Sequence, residues 1–288
     1  MIVLVNFANE SFRKKQKWNT FSAKLFGKLD EVFEYNENDI KEEVLKQSKE
    51  TLKNKEKGAG NYFWKPFIVE KALNRINYGD YLIYADSGSI FMKSVLPLVE
   101  HMKTQKKDIL CFKLPFIEKQ WTKRDAFILM ESDSPIFTDT PQIMATFFMI
   151  KKSKESVFFI KSWQDYVSDS RILTDDFNVL GKENYPDFME HRHDQSVLSL
   201  LCKNNQNSVL IERDISDYGY FPYRYLNNIK KTLKFKNTNC LYDHEVINNS
   251  KNNVFRGTLL CNRKNNPFIY LLKYIIRRFL YRIGINKF

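Results

Sequence analysis

Short apolar runs alternate with amphipathic stretches along most of the chain, and the two patterns predict different elements. Runs rich in aliphatic, β-branched and aromatic residues indicate buried strands, at residues 2–7, 31–35, 81–85, 109–112 and 147–150. Apolar positions at helical spacing or helix-prone composition indicate helices, at residues 12–29, 39–54, 67–74, 153–166 and 193–202. This alternation predicts an α/β fold with a largely parallel central sheet flanked by helices. Such sheets bind ligands at the carboxyl ends of their strands.

The segment after Pro267 has a helical pattern of its own. Its apolar positions share one stripe, made of Leu272, Ile275, Ile276, Phe279, Leu280 and Ile283. Basic residues lie off that stripe, at Lys273, Arg277, Arg278 and Arg282. This is the pattern of a helix lying in a membrane interface, although a helix docked on the core with its arginines in water fits it too. We therefore expect a folded domain over residues 1–262 and a basic amphipathic membrane-association helix over residues 263–288.

The positive charge of the chain is concentrated at its end. The net charge is +12 over 288 residues, but nine basic and no acidic residues follow Glu245. That leaves 37 basic and 34 acidic residues, a net of +3, for the rest of the chain. A nucleic-acid-binding domain is expected to carry a basic face on its folded body, so nucleic acid is not an expected partner. A basic tail favours an anionic membrane surface instead.

The remaining composition indicates a cytoplasmic protein with a sizeable core. Hydrophobic residues make up 43% of the chain and aromatic residues 15%, enough for one large α/β domain. The cysteines at 111, 202, 240 and 261 form no CxxC pair, and we expect reduced, mostly buried thiols. The apolar start at residues 1–5 turns polar at once, unlike a signal peptide, and no apolar run of about 18 residues occurs.

Segment 79–88 is the first candidate for chemistry. Its apolar strand delivers Asp86 to the carboxyl end of the sheet, and Ser87 and Gly88 follow, where glycine permits a sharp turn. A carboxylate there can hold Mg²⁺ or Mn²⁺ against a diphosphate, because both cations prefer oxygen ligands and often share them with substrate phosphates. The alternative is that Asp86 only caps the turn.

Segment 58–66 places glycines and aromatic residues before a lysine. Paired glycines allow a ligand to approach the backbone, Trp64 can stack on a base or sugar, and Lys65 can pair with a phosphate. A turn before a helix that begins near Pro66, with Trp64 in the core, explains the same residues.

Segment 190–196 is strongly polar and directly precedes an apolar helix face. If the helix begins near Asp194, its amide dipoles face a nearby anion. Asp194 is then a candidate base, nucleophile or acceptor for a sugar hydroxyl, and His193 is a candidate contact to phosphate or metal. The competing interpretation is a simple N-cap at Asp194, with His191 and His193 on the surface.

Taken in order, these segments resemble a bacterial family of capsular and surface-polysaccharide glycosyltransferases with a GT-A-like, Rossmann-related fold. The resemblance covers roughly residues 2–205 and rests on the ordered set of segments, not on one motif. Outside segments 58–66, 79–88 and 191–196, it rests on Ser22, Ala23, Gly27, Asp30, Tyr35, Gln142, Trp163, Leu198, Ser199 and Leu200.

The resemblance implies an enzyme that moves a sugar from a nucleotide-diphosphate sugar to a glycan or a polyprenyl- or lipid-linked acceptor. Capsule, lipooligosaccharide or O-antigen assembly at the inner face of the cell membrane is the expected setting. Asn6 and Ala8 would line the nucleotide pocket. Lys65, with Mn²⁺ or Mg²⁺ on Asp86, would neutralise the leaving diphosphate. Asp194 would be the base of an inverting reaction or would orient the donor in a retaining one.

Two departures from the family pattern affect these expectations. A full DxD motif has a second carboxylate where this chain has Gly88, so the resemblance leaves metal dependence open. The family often has a segment rich in His and Arg downstream. The matching region here, about residues 246–266, offers Arg256 and Arg263, which could clamp the diphosphate.

Two other functions remain open at this stage. A nucleotidyltransferase or sugar-nucleotide-processing enzyme would have the same fold class, but it should carry a glycine-rich phosphate loop after the first strand. Residues 6–10 contain no glycine, which counts against it. A non-catalytic protein recruited to membranes or polyanions by its tail would bind no nucleotide.

Overall fold

The computed structural model describes residues 1–40, 44, 58–213, 240–249, 254–261 and 266–283. The strands within these residues are β1 (Ile2–Phe7), β2 (Glu31–Tyr35), β3 (Tyr81–Ala85), β4 (Ser89–Phe91), β5 (Ile109–Ile117), β6 (Pro141–Ile143), β7 (Phe147–Lys151), β8 (Val209–Arg213) and β9 (Leu259–Cys261). The helices are α1 (Arg13–Ser22), α2 (Gly58–Asn61), α3 (Lys65–Leu73), α4 (Leu96–Gln105), α5 (Arg124–Leu129), α6 (Pro135–Thr138), α7 (Lys154–Ser168), α8 (Ser170–Leu173), α9 (Asp194–Asn204), α10 (His244–Asn249) and α11 (Pro267–Arg282).

Seven of these strands form a central sheet in the order β2-β1-β3-β7-β5-β6, with β8 on the opposite edge of β5. β1 pairs in parallel with β2 and β3, and β5 with β8. Only β7 and β6 run against the others, because β7 is antiparallel to β3 and β5, and β6 is antiparallel to β5. The predicted α/β fold with a largely parallel central sheet is therefore confirmed.

Both faces of the sheet are covered, which explains why the strands are continuous apolar runs rather than alternating ones. In β1, Val3 and Val5 belong to a core shared with α3, α7 and α9. Ile2 and Leu4 face the other side, where α4 supplies Val99. All five predicted strands form, and β5 extends to Ile117. All four cysteines are free, Cys111 and Cys202 buried and the other two half-buried.

One predicted helix differs from expectation, and another cannot be compared with the structure. The one expected at residues 12–29 is α1, which continues as a π-helical turn over Ala23–Gly27 and ends where Lys28 adopts a φ of 62°. The one expected at residues 39–54 lies mostly outside the described residues.

A small second sheet connects the end of β3 to the C-terminal part of the chain. β4 begins three residues after Asp86 and pairs antiparallel with β9. Helix α11 packs on this sheet through Tyr270 and Tyr274, which contact Ile90 and Leu260. The predicted C-terminal helix is thus present, and its buried contacts come from tyrosines outside the apolar stripe.

The apolar stripe of α11 faces solvent. Leu272, Ile275, Ile276, Phe279 and Ile283 are exposed, and the exposed fraction of Phe279 is 62%. Among the described residues, no helix is both long enough and apolar enough to span a bilayer.

Candidate functional site

The carboxyl ends of β1 and β3 define the candidate site. The chain runs from β1 to β2 on one side and later returns to β3 on the other side of β1. This arrangement is a topological switch point, where the loops after neighbouring parallel strands diverge and leave a crevice for a ligand. Asp86 directly follows β3 at this crevice.

Three charged side chains from distant parts of the sequence meet here. Lys65 Nζ donates a hydrogen bond to Asp194 Oδ2 and lies 3.8 Å from Asp86 Oδ1. It also donates to the carbonyl oxygen of Ala145, at 3.2 Å. The side chains of Lys65 and Asp194 are 3% and 4% exposed, whereas that of Asp86 is 25% exposed. The expected convergence of Lys65, Asp86 and Asp194 is thus present in the structure, with Asp86 facing solvent.

Helix starts position two of these residues. Lys65 is the first residue of α3 and Asp194 the first residue of α9. The backbone before each start is unusual: Asn61 and Tyr62 have φ values of 54° and 61°, and His193 has φ 53°. Residues other than glycine adopt such values at a cost of about 1–3 kcal/mol, and they often do so at functional sites. Two helix N-termini also favour an anion at this place.

Aromatic rings surround the ammonium group. Lys65 Nζ lies 5.1 Å from the ring centroids of both Tyr62 and Tyr84. The Tyr84 hydroxyl donates to Asp86 Oδ1 at 2.7 Å. Burial, with the nearby Asp86, raises the pKa of Tyr84 well above its usual value, so this hydroxyl remains a donor. Burial lowers the pKa of Lys65, but Asp194 and Asp86 together raise it more, so the pKa lies above its usual value and the ammonium stays charged.

A buried polar network holds the start of α9. Gln195 Nε2 donates to Gln142 Oε1 at 2.7 Å, and Gln142 Nε2 donates to Glu118 Oε1 at 3.0 Å. Glu118 is fully buried and also accepts from Lys203 Nζ at 2.7 Å and from Ser199. Glu118 was not predicted from the sequence, because a single Glu at a strand end gives no local signal. The network fixes the helix turn that carries Asp194.

Three residues predicted to bind the nucleotide are interior residues. Asn6 is fully buried: its Nδ2 donates to Asn19 Oδ1 at 2.7 Å, and its Oδ1 accepts from Gln16 Nε2 at 2.9 Å. Ala8 is 1% exposed, and Trp64 stacks on Phe7 with ring centroids 4.0 Å apart. The side chains of all three residues face the protein interior, and a contact of these residues with the nucleotide stays a prediction.

The interpretation of His193 as a surface residue needs correction. Its ring is buried, and Nδ1 lies 3.1 Å from the carbonyl oxygen of Leu173. His191 is buried beside it, with ring centroids 5.6 Å apart, and accepts a hydrogen bond from the backbone N–H of Lys123. Burial and the neighbouring His193 hold the pKa of His191 well below its usual value, so it is neutral. Neither histidine therefore lies on the surface, and a contact of His193 with phosphate or metal stays a prediction.

Ser87 and Gly88 lie beside Asp86 as predicted, with Ser87 buried and Gly88 half-buried. The turn does not use the special freedom of glycine, because Gly88 is not among the described residues with positive φ. The backbone instead closes through Ser89 N–H, which donates to the Asp86 carbonyl at 2.8 Å.

The residues around Asp86 do not fit a divalent cation. Mg²⁺ and Mn²⁺ bind several oxygen ligands at once. Within the described part of the chain, no group of three or more His, Cys, Asp or Glu side chains is arranged to hold a metal ion. The two carboxylates that do meet, Asp86 and Asp194, already face the ammonium of Lys65. The predicted metal role of Asp86 is therefore not supported by its neighbours.

Of the two arginines expected to clamp a diphosphate, only Arg256 lies within the described residues. Ser89 pairs with Cys261, whereas Met92 N–H donates to the Thr258 carbonyl at the other end of β4. Arg256 precedes Thr258 and accepts, through its carbonyl, a hydrogen bond from Lys93. Its backbone therefore lies near the end of β4 away from Asp86, and a contact of its side chain with a diphosphate stays a prediction. Arg263 lies outside the described residues.

No protein-family model matches the sequence, and no curated protein is significantly similar to it. Several solved structures align with most of the chain. The alignment with mouse xyloside xylosyltransferase 1 covers 93% of this chain and 99% of that protein, with 10% sequence identity and a TM-score of 0.49. The alignment with the galactosyltransferase LgtC, solved with donor and acceptor sugar analogs, covers 91% of this chain and 87% of LgtC, with 12% sequence identity and a TM-score of 0.46. A third alignment is with a glycosyltransferase involved in glycosylation of the PBCV-1 major capsid. It covers 93% of this chain and 96% of that protein, with 10% sequence identity and a TM-score of 0.44. At this level of similarity, function has to follow from the site itself.

Proposed function

We propose that the chain is a GT-A-type glycosyltransferase that moves a sugar from a nucleotide-diphosphate sugar to a glycan or lipid-linked glycan acceptor. The observation that carries the proposal is the convergence of Lys65, Asp86 and Asp194 at the β1/β3 switch point. The Lys65 ammonium and two helix N-termini offer donors to the anionic end of such a substrate, and the Asp86 carboxylate offers an acceptor to its hydroxyls.

The proposed step breaks the bond between the anomeric carbon and the β-phosphate oxygen, and the electron pair stays with the diphosphate. A hydroxyl oxygen of the acceptor forms the new bond to the anomeric carbon, and its proton leaves to a base. Lys65 stabilises the charge that develops on the diphosphate. Asp86, the more exposed of the two carboxylates, accepts hydrogen bonds from sugar hydroxyls.

The hydrogen bond between Lys65 and Asp194 supports one of the two roles predicted for Asp194. To act as a base, Asp194 would have to exchange its hydrogen bond from Lys65 for one from the acceptor hydroxyl. A base must come within hydrogen-bond distance of the proton that it removes. We therefore assign Asp194 to orienting Lys65 and the donor. An Asp194→Asn protein that keeps its fold and wild-type turnover would remove it from both roles.

A ligand screen tests the proposal. Thermal unfolding is measured with UDP, GDP, CMP and their sugars, and released nucleotide is measured by chromatography. We expect one donor class to raise the melting temperature and to be consumed. Asp86→Asn should abolish consumption, whereas Asp108→Asn should not, because Asp108 precedes β5 at the opposite edge of the sheet. Stabilisation by no nucleotide sugar would refute the proposal, and release of pyrophosphate from a nucleoside triphosphate would indicate a nucleotidyltransferase instead.

We propose further that residues 263–288 hold the enzyme on the cytoplasmic face of an anionic membrane, next to lipid-linked acceptors in surface-polysaccharide assembly. The support is the exposed apolar stripe of α11 together with the basic residues of the same helix. Apolar area and electrostatic attraction add in such binding, at about 1 kcal/mol for each basic residue near the surface. Tyr270 and Tyr274 fix the helix on the domain with the stripe outward.

Vesicle co-sedimentation tests this attachment. The wild-type protein should pellet with phosphatidylglycerol vesicles and much less with phosphatidylcholine vesicles. Phe279→Glu should abolish pelleting, whereas Phe158→Glu should not, because Phe158 is an equally exposed aromatic residue on α7 of the domain. Equal pelleting of all three proteins would contradict the attachment.

A further inference from the structure

Lys65 occupies the position between the two carboxylates where a bridging divalent cation would have to lie. Its Nζ is hydrogen-bonded to Asp194 and lies 3.8 Å from Asp86 Oδ1. A cation bound to Asp86 would therefore be only a few ångströms from a fixed ammonium, and like charges at that separation repel strongly in a partly buried site. The hydrogen bond from Tyr84 further reduces the capacity of Asp86 Oδ1 to act as a ligand.

The ammonium is held in place and still has a donor to offer. A lysine ammonium has three N–H donors. Two of them are used at hydrogen-bond distance, by Asp194 and by the Ala145 carbonyl. Asp86 is too distant for a direct hydrogen bond to the third. That donor can bind a phosphate oxygen entering beside Asp86 without displacing Asp194.

From this geometry we infer that Lys65 is a built-in counter-ion for the diphosphate, and that the protein binds its donor without a divalent cation. The inference rests on the proposed function, because it concerns the same site. The positive charge that meets the departing diphosphate then belongs to the polypeptide, and Asp194 and the Ala145 carbonyl keep it aligned. The missing second carboxylate at Gly88 agrees with this arrangement, since a lysine counter-ion needs no complete metal-binding motif.

A measurement of Mn²⁺ binding distinguishes a site with a lysine counter-ion from a site that binds a divalent cation. Free Mn²⁺ is measured by electron paramagnetic resonance with the full chain as wild type, Lys65→Met and Lys71→Met. Lys71 is the matched control, because it lies on the same helix and pairs with Asp39 at the surface. We expect weak binding to the wild type and to Lys71→Met. Lys65→Met should bind Mn²⁺ at least about tenfold more tightly, because two carboxylates lose their common ammonium. Tight binding to the wild type would overturn the inference.

A second measurement needs no variant. The affinities of the wild-type protein for UDP, GDP and CDP are measured by calorimetry in EDTA and in excess Mn²⁺. We expect the affinity for the preferred nucleotide to agree within about twofold between the two conditions. Binding that requires Mn²⁺ would overturn the inference and leave the proposed function standing. Binding of no nucleotide under either condition would overturn both.

Discussion

The buried pair of Lys65 and Asp194 allows a quantitative test of the site's architecture. Both side chains are almost completely buried. Removing one partner of such a pair leaves an uncompensated charge in the interior, at a cost of about 3–5 kcal/mol. In Asp194→Asn the ammonium keeps the Ala145 carbonyl and Asp86, so we expect a loss of about 3 kcal/mol in the free energy of unfolding.

The double variant Lys65→Met, Asp194→Asn makes the prediction specific. With both charges removed, the desolvation cost of the pair disappears as well. The double variant should therefore be within about 2 kcal/mol of the wild type and more stable than either single variant. The free energies of unfolding of the wild type, the two single variants and the double variant are measured in urea at neutral pH. Equal slopes of unfolding free energy against urea concentration check two-state behaviour. If the destabilisation of the double variant equals the sum of the two single destabilisations to within about 0.5 kcal/mol, the direct interaction between Lys65 and Asp194 is refuted.

The pH dependence of the same pair has a definite sign. Because the pKa of Lys65 is raised in the folded protein, the contribution of the pair is fully present below the usual value of 10.5 and is lost as the pH rises through the folded pKa. The stability gap between the wild type and Lys65→Met should stay constant from neutral pH to about 10 and then close. If the stability difference between the wild type and Lys65→Met narrows between pH 6 and 9, a group other than Lys65 causes the difference.

Three further predictions concern the supports of the site. His193→Gly should be more stable than His193→Ala by about 1 kcal/mol in urea unfolding, because glycine adopts the observed φ of 53° without strain; the reverse order would contradict strain there. Burial raises the pKa of Asp133, but hydrogen bonds from Tyr185 and Arg124 lower it more. Asp133→Asn should therefore cost about 1.5–3 kcal/mol at pH 7, and the gap in unfolding free energy should shrink as the pH falls below about 4. Tyr274→Ala should detach α11 from its sheet and speed tryptic cleavage within it, while a catalytic assay of the domain stays unchanged.

The elements that the sequence predicted correctly are those with long, regular patterns. β1, β3 and β7 are buried on both faces, so their apolar runs are unmistakable. The small sheet of β4 and β9 was not predicted, because strands of three residues, 172 positions apart at Ser89 and Cys261, give no periodic signal. The placement of α11 on that sheet could not be predicted for the same reason.

The site was predictable in position but not in detail. Asp86 and Asp194 were expected together because the resemblance to GT-A glycosyltransferases implies that both act on the donor. Which way a side chain points is decided by packing from elsewhere in the chain. Asn6 faces Gln16 and Asn19 of α1, which read as an ordinary surface helix until their burial is known. The polarity of the core around Asn6 is therefore invisible from the strand alone.

A crystal structure of the protein with its preferred nucleoside diphosphate, grown in EDTA, tests the proposed site most directly. We expect the diphosphate at the carboxyl ends of β1 and β3, with a phosphate oxygen within hydrogen-bond distance of Lys65 Nζ and with Asp86 facing the sugar position. A nucleotide bound elsewhere on the chain, or one whose phosphates do not approach Lys65, would contradict the proposed site.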